Sequence, residues 1–240
     1  MKIFYKGLLT LILVSMVFTS CDTNCVSGSG DKITTALYLD DVLEVVAYGN
    51  MKINIQYAEE QSVSVVGHPN IIDLLNTRIS GGVWHIGFNA DCVSDLDLTV
   101  NISLPDIEKI EMIGSGNIVV DDFLGLHELD MRVVGSGHIL FNELNCEIFN
   151  IYVEGSGEVY ANDVASVEMY NATVIGSGKI DTYNVIGEEC IASVIGSGGV
   201  NLTAIETLDA EIDGSGIINY MGNATVTKHI VGSGTVIDKN

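Results

Sequence analysis

Proline is almost missing from this chain, with two residues in 240. Tryptophan occurs once. Basic residues are scarce as well: ten Lys and Arg stand against 32 Asp and Glu, for a formal net charge of −22. Each shortage excludes something. So little proline leaves no Pro-rich spacer and no collagen-like segment, since both need it to hold extended backbone. So few cations leave a surface that repels phosphate. Nucleic acid and anionic lipid head groups are therefore poor partners, and cations or neutral and basic surfaces are better ones. The five cysteines include no Cys-x-x-Cys pair of the zinc type. Beyond the N-terminus, no apolar run approaches the roughly 20 residues of a membrane-spanning helix.

What is abundant is glycine, with 26 residues, and hydrophobic side chains, at 47%. That apolar fraction is too high for a disordered chain. Together with the glycine it suits many short strands joined by tight turns.

The N-terminus reads as a targeting segment. Lys2 and Lys6 precede an apolar core of 11 residues, Leu8 to Phe18. That is too short to span a bilayer and has the form of a signal peptide over residues 1–20. It ends Phe18-Thr19-Ser20-Cys21, which resembles a bacterial lipoprotein signal whose cysteine becomes the lipid-bearing first residue. Residues 21–27 then read as anchor and linker, and the membrane becomes a partner through the lipid on Cys21. The alternative is an ordinary cleavage site with Cys21 a spare thiol. Without residues 1–20, which hold two Lys and no acid, eight basic and 32 acidic residues remain, a balance of −24.

The rest of the chain is a repeat. Gly-Ser-Gly stands alone at 28–30 and then recurs seven times. Its glycines are Gly114 and Gly116, Gly135 and Gly137, Gly155 and Gly157, Gly176 and Gly178, Gly196 and Gly198, Gly214 and Gly216, and Gly232 and Gly234. Successive copies begin 21, 20, 21, 20, 18 and 18 residues apart. A near-constant period of about 20 marks a stacked architecture in which each unit buries its apolar side on its neighbours.

The phase within the period defines strands. Two residues before the tripeptide stand Val133, Val153, Val174, Val194, Ile212 and Ile230. Four before stand Met131, Ile151, Ala172, Ala192 and Ala210, and six before Leu129, Phe149, Tyr170, Cys190 and Leu208. Polar residues such as Asp130, Asn150, Asn171 and Asp209 fill the places between. Alternation of period two is that of a half-buried strand. A second strand follows the tripeptide, with Ile118, Ile139, Val159, Ile180, Val200, Ile218 and Val236 two residues on, and Val120, Phe141, Ala161, Thr182, Leu202 and Tyr220 four on. Phe123, Leu144, Val164, Val185 and Ile205, seven on, read as inward anchors after a polar corner. Each turn is thus strand, glycine corner, strand, polar corner. The expected fold is an all-β, single-stranded parallel β-solenoid, right-handed because parallel crossovers favour that hand. Its domain covers 28–240, less regular over 28–105 and regular over 106–240. The Gly-Ser-Gly corners are architectural: glycine takes the positive φ a sharp corner needs and leaves no side chain to strike the next corner. The serines could form a hydroxyl ladder. A phosphate-cradling loop would require a helix after the glycines, and a strand follows instead. The spacing of "PNIIDLLNTRIS" from Pro69 is the one helix-like apolar pattern, and the irregular first third is expected to start the stack and close its end.

The early Gly-Ser-Gly at 28–30, the strand-rich first third, "LPDIEKIEMIGSGNIVV" and the ladder of Gly-Ser-Gly-x-[Ile/Val] turns resemble the bacterial family called "putative auto-transporter adhesin, head GIN domain". The resemblance spans about 28–237. It implies a β-helical solenoid and no catalytic residues, and a lipoprotein signal ahead of such a domain is similar to the arrangement in Bacteroidetes-type bacteria.

For chemistry, the sequence offers little that converges. Cys146 and Cys190 fall in different columns two turns apart, beyond disulfide reach, and read as small core hydrophobes. Cys25 and Cys92 could pair in an oxidising envelope, but nothing in their spacing demands it. His127, His138 and His229 occupy different columns. Carboxylates are the better candidates. Asp122, Glu143 and Asp163 stand six after the tripeptide, followed by Asn184, with Asp121, Asn142 and Asn162 five after. Stacked turns would align these oxygens, so Asp121, Asp122, Glu143 and Asp163 form a candidate ladder for a cation such as Ca2+, or else a solvated edge that keeps the stack soluble. The expected function is a non-enzymatic, lipid-anchored envelope module that binds a glycan or protein at the surface. The alternatives are a structural or regulatory periplasmic lipoprotein and, less favoured, a polysaccharide-active enzyme.

Overall fold

The computed structural model describes residues 25–94 and 97–240, so the signal segment and Cys21 lie outside the described residues. The elements are β1 Val26–Ser27, β2 Ile33–Leu37, β3 Glu44–Gly49, β4 Lys52–Tyr57, β5 Ser62–Gly67, α1 Pro69–Ile72, β6 Ile79–Ser80, β7 Val83–Ile86, β8 Val93–Ser94, β9 Thr99–Leu104 and β10 Lys109–Gly114. The chain continues through β11 Asn117–Asp121, β12 Phe123–Gly135, β13 His138–Phe141, β14 Leu144–Gly155, β15 Glu158–Ala161, β16 Ala165–Gly176, β17 Lys179–Gly196, β18 Gly199–Gly214, β19 Ile217–Met221, β20 Thr225–Gly232 and β21 Thr235–Asp238.

These strands stack as a solenoid of parallel columns. Strands entering a glycine corner pair in the order β7, β3, β10, β12, β14, β16, β17, β18, β20. Strands leaving it pair in the order β9, β4, β11, β13, β15, β17, β18, β19, β21. A shorter third column aligns Phe123, Leu144, Ala165 and Val185. The alternation read from the sequence explains the core. Val133, Val153, Val174, Val194 and Ile212 all point inward and are buried, as are Leu129, Phe149, Tyr170, Cys190 and Leu208. Two expected anchors are corrected. Val164 is 64% exposed and Ile205 44% exposed, while Ala165 and Ala204 take the inward places. The polar corner varies in length from turn to turn, and one extra residue moves every following side chain to the opposite face.

The first third joins the stack out of order. β3 and β4 form a turn whose corner is Gly49, in register with Gly114. The chain then leaves, returns as β7 and β9 on the far side of that turn, and crosses back to β10 on the near side. The excursion builds a cap. β5 pairs antiparallel with β9, β2 antiparallel with β5, and β6 antiparallel with β7. Gly81 and Gly82, both with positive φ, make the β6–β7 turn. The helix-like spacing from Pro69 yields only the single turn α1, after which Asn76 binds the backbone of Gly87 and its carbonyl accepts from Trp84 Nε1 at 2.8 Å. Ile71, Ile72 and Leu75 close the apolar cross-section, which is what a solenoid end requires. Cys25 and Cys92 form a disulfide, and β1 pairs with β8 beside it. Ordered structure therefore begins inside the stretch read as linker, and the disulfide staples it to the cap. The isolated Gly28-Ser29-Gly30 is no corner. Ser29 N–H donates to Asn70 Oδ1 at 2.9 Å, and the Gly30 carbonyl meets His68 Nδ1 at 2.7 Å.

The corners separate two uses of glycine. The first glycine of each, Gly114 through Gly232, has φ between +113° and +131°. The second has an ordinary φ but no room: a Cβ on Gly157 would lie 2.4 Å from Val133 Cγ1 and 2.6 Å from the Gly137 carbonyl oxygen. The serines act through the backbone, Ser156 N–H donating to the Gly135 carbonyl at 2.9 Å and its counterparts likewise. No hydroxyl ladder forms among the described residues; the corner serines face solvent.

Candidate functional site

The polar corner resolves into amides. Asn142 Nδ2 donates to Asp121 Oδ1, Asn162 Nδ2 donates to Asn142 Oδ1 at 3.1 Å, and Asn184 Nδ2 donates to the Asn162 carbonyl at 3.1 Å. In-register parallel stacking brings like positions one strand spacing apart, which suits an amide that both donates and accepts. Asp122, at φ +62°, and Glu143 and Asp163 are exposed and stand outside this ladder. The four acids proposed from sequence are therefore not brought together. Among the described residues no three His, Cys, Asp or Glu side chains are placed to hold a metal ion. Similar amide ladders run through Asp130, Asn150 and Asn171 and through Asp181, Asn201 and Asn219.

The remaining reactive groups are dispersed. His127 Nδ1 lies 2.7 Å from Glu147, His138 3.8 Å from Glu158 and His229 4.0 Å from Asp209, each on a separate stretch of surface. Burial pushes the Cys146 and Cys190 thiols up to about 12, so both stay protonated and inert. Burial likewise raises the phenol of Tyr170, whose hydroxyl meets Thr182 Oγ1 at 2.6 Å. Thr182 in turn donates to the Asn201 carbonyl at 2.8 Å, so the one polar residue of its inward column is satisfied.

Two outward faces carry patterned side chains. On the face entering the corners, Glu111 is buried and paired with Lys109 Nζ at 2.9 Å and Arg132 Nε at 3.4 Å. Arg132 also lies 4.7 Å from the Tyr152 ring centroid. On the face leaving the corners, β13, β15 and β17 set Leu140, Tyr160 and Asp181 in register. Tyr183 stands two residues beyond Asp181, and with Ala161, Asn162 and Asn184 these residues line an open groove of about 420 Å3. Burial, then the Asp181 carboxylate, holds the Tyr183 phenol above its ordinary value. Sequence reasoning did not bring these two tyrosines together; their convergence depends on the 21-residue turn that places them in adjacent rungs. It missed the Gly49 corner altogether, where Asn50 and Met51 replace Ser and Gly. Val45 and Ala47 before it and Ile53 and Ile55 after it were the available signal.

A capped parallel β-solenoid with glycine corners and patterned outer faces is the class to which this molecule belongs. A family model described as "Putative auto-transporter adhesin, head GIN domain" matches residues 43–224, and the chain is a member of that family. Solved structures share the fold. A putative adhesin from Bacteroides fragilis aligns with TM-score 0.78 and 20% identity, over 89% of this chain and 99% of that one. A putative adhesin from Parabacteroides merdae aligns with TM-score 0.76 and 19% identity, over 90% and 99%. A protein from Parabacteroides distasonis described as a putative lipid binding protein aligns with TM-score 0.70 and 20% identity, over 90% and 99%. No curated protein matches the chain.

Proposed function

We propose that the chain is a non-enzymatic binding module of the bacterial cell envelope, tethered through lipid on Cys21 and presenting its solenoid flanks to a surface ligand. The observation that carries this reading is the Cys25–Cys92 disulfide. Such a bond requires an oxidising compartment. It also ties the chain, four residues past Cys21, to the capped end. A lipid on Cys21 would then hold the molecule by its cap and leave both patterned faces and the opposite end clear of the membrane. Titratable groups spent in separate pairs along the faces agree with binding rather than turnover. The adhesin descriptions of the family and of two structural neighbours support the same class.

The test is protease shaving of intact cells, with a periplasmic protein as leakage control, alongside a Cys21→Ala variant. Removal of the domain from intact cells, and its release from membranes in the variant, is the expected result. A domain that resists protease until the outer membrane is opened overturns surface binding and leaves a periplasmic role with protein partners.

A further inference from the structure

Of the described tyrosines other than the fully buried Tyr170, most already have a partner. The Tyr152 ring carries Arg132, the Tyr220 ring has Lys228 at 5.7 Å, Tyr48 bonds His85 and Tyr57 packs edge-on to Phe123. Tyr38 stands 98% exposed with nothing converging on it. Tyr160 and Tyr183 differ. No ring or cation stacks on the face of Tyr183 among the described residues, the Lys179 charge acting on its phenol instead, and Tyr160 has only His138, tilted at 6.4 Å between centroids. They sit diagonally on adjacent rungs, one strand spacing and two residues apart, or about 8 Å. Between and beside them the amides of Asn162 and Asn184 are anchored through Nδ2, to Asn142 and to the Ala161 and Asn162 carbonyls. Their Oδ1 atoms face no donor among the described residues.

Two aromatic platforms on a rigid sheet, with fixed acceptors between them, match a polyhydroxylated ligand whose apolar ring faces stack and whose hydroxyls donate. The charge sets the kind. Asp181 lies in the groove with its charge paired to Lys179 Nζ, so among the described residues the groove carries no free cation or anion of its own, while the chain carries −22 overall. We infer that the groove formed by Tyr160, Tyr183, Asn162 and Asn184 binds a neutral glycan chain. This rests on the binding-module reading and gives it a ligand class.

The test is affinity electrophoresis of the full chain, in neutral detergent, through native gels containing a β-glucan, a mannan, a xylan or a galactan, with polygalacturonate as the acidic comparator. At least one neutral polymer is expected to retard the protein. A Tyr160→Ala/Tyr183→Ala variant is expected to lose about tenfold or more in affinity. Tyr152→Ala, on the other face, is expected to bind like the parent. Equal melting temperatures establish that the variants fold. Retardation by none of the four neutral polymers, by the acidic polymer alone, or undiminished in the double variant overturns the inference. Adhesion by cells carrying the double variant tells the two readings apart: if they adhere as the parent does, the binding module stands and this site falls.

Discussion

At the scale of the residue, the corner glycines show that one letter repeated fourteen times serves two physical ends. Gly155 holds φ +113°, and a Cβ there would also lie 2.5 Å from the Gly135 carbonyl oxygen. Gly157 needs only the empty space. Backbone atoms one rung away cannot yield without breaking the ladder. Gly157→Ala is therefore expected to cost about 3 kcal/mol or more, and Gly155→Ala at least as much through added backbone strain. Gly199 is the control. It has no positive φ, and its nearest obstacle to a Cβ is the Ile217 carbonyl oxygen at 3.5 Å. Gly199→Ala should stay within about 1 kcal/mol of the parent. Thermal melts of the three variants decide it, and equal losses at Gly157 and Gly199 would sink the crowding argument.

At the scale of the element, what the sequence reveals and conceals divides at about residue 106. Beyond it, the rungs repeat around each glycine corner, so period and phase expose both strands, their inward faces and the corners, and fail only at the polar corner, whose length varies and leaves Val164 and Ile205 outside. Before it, the elements depend on partners distant in sequence. β3 lies between β10 and β7, and β5 lies antiparallel between β2 and β9. No local pattern encodes that exchange of order, so the sequence shows that the first third closes the stack and that Cys25 and Cys92 could pair, but not the strand order that builds the cap and brings them together. The same reason hid the tyrosine groove, because neighbours there are set by the register of whole turns. The disulfide closes a span of 67 residues containing the cap. Its loss in a Cys25→Ser/Cys92→Ser variant should cost about 2–4 kcal/mol. The effect should be local. Hydrogen exchange is expected to rise in β1, β2, β5 and β8 and to stay unchanged in the strands β12 to β17, which are ordered by their own rungs. Equal acceleration throughout would mean that the cap and the stack unfold as one unit.

At the scale of the whole molecule, the two ends differ. One is closed by β2, β5, β6 and α1, while at the other β20 and β21 have no further strand on their outer side among the described residues. Open edges of this kind invite pairing with another chain. The inward column four residues before the corner runs Met131, Ile151, Ala172, Ala192, Ala210, and its next member in register is Lys228. A cation replaces an apolar residue at the last described rung of this column. Lys228 Nζ reaches the Val236 carbonyl at 3.2 Å and lies over the Tyr220 ring, so its stem covers the apolar cross-section while its charge stays at the opening. A second solenoid docking end-on would have to bury that charge, which strongly disfavours the contact. Ile230 and Val231 on the same strand are exposed and would otherwise favour association. Lys228→Val should therefore leave the fold intact and raise the mass in sedimentation equilibrium above that of the parent at the same concentration. A variant that melts like the parent and sediments like it would show that the terminal strands are guarded by something other than this lysine. The break in an otherwise apolar column is visible in the sequence itself, where Lys228 follows Met131, Ile151, Ala172, Ala192 and Ala210.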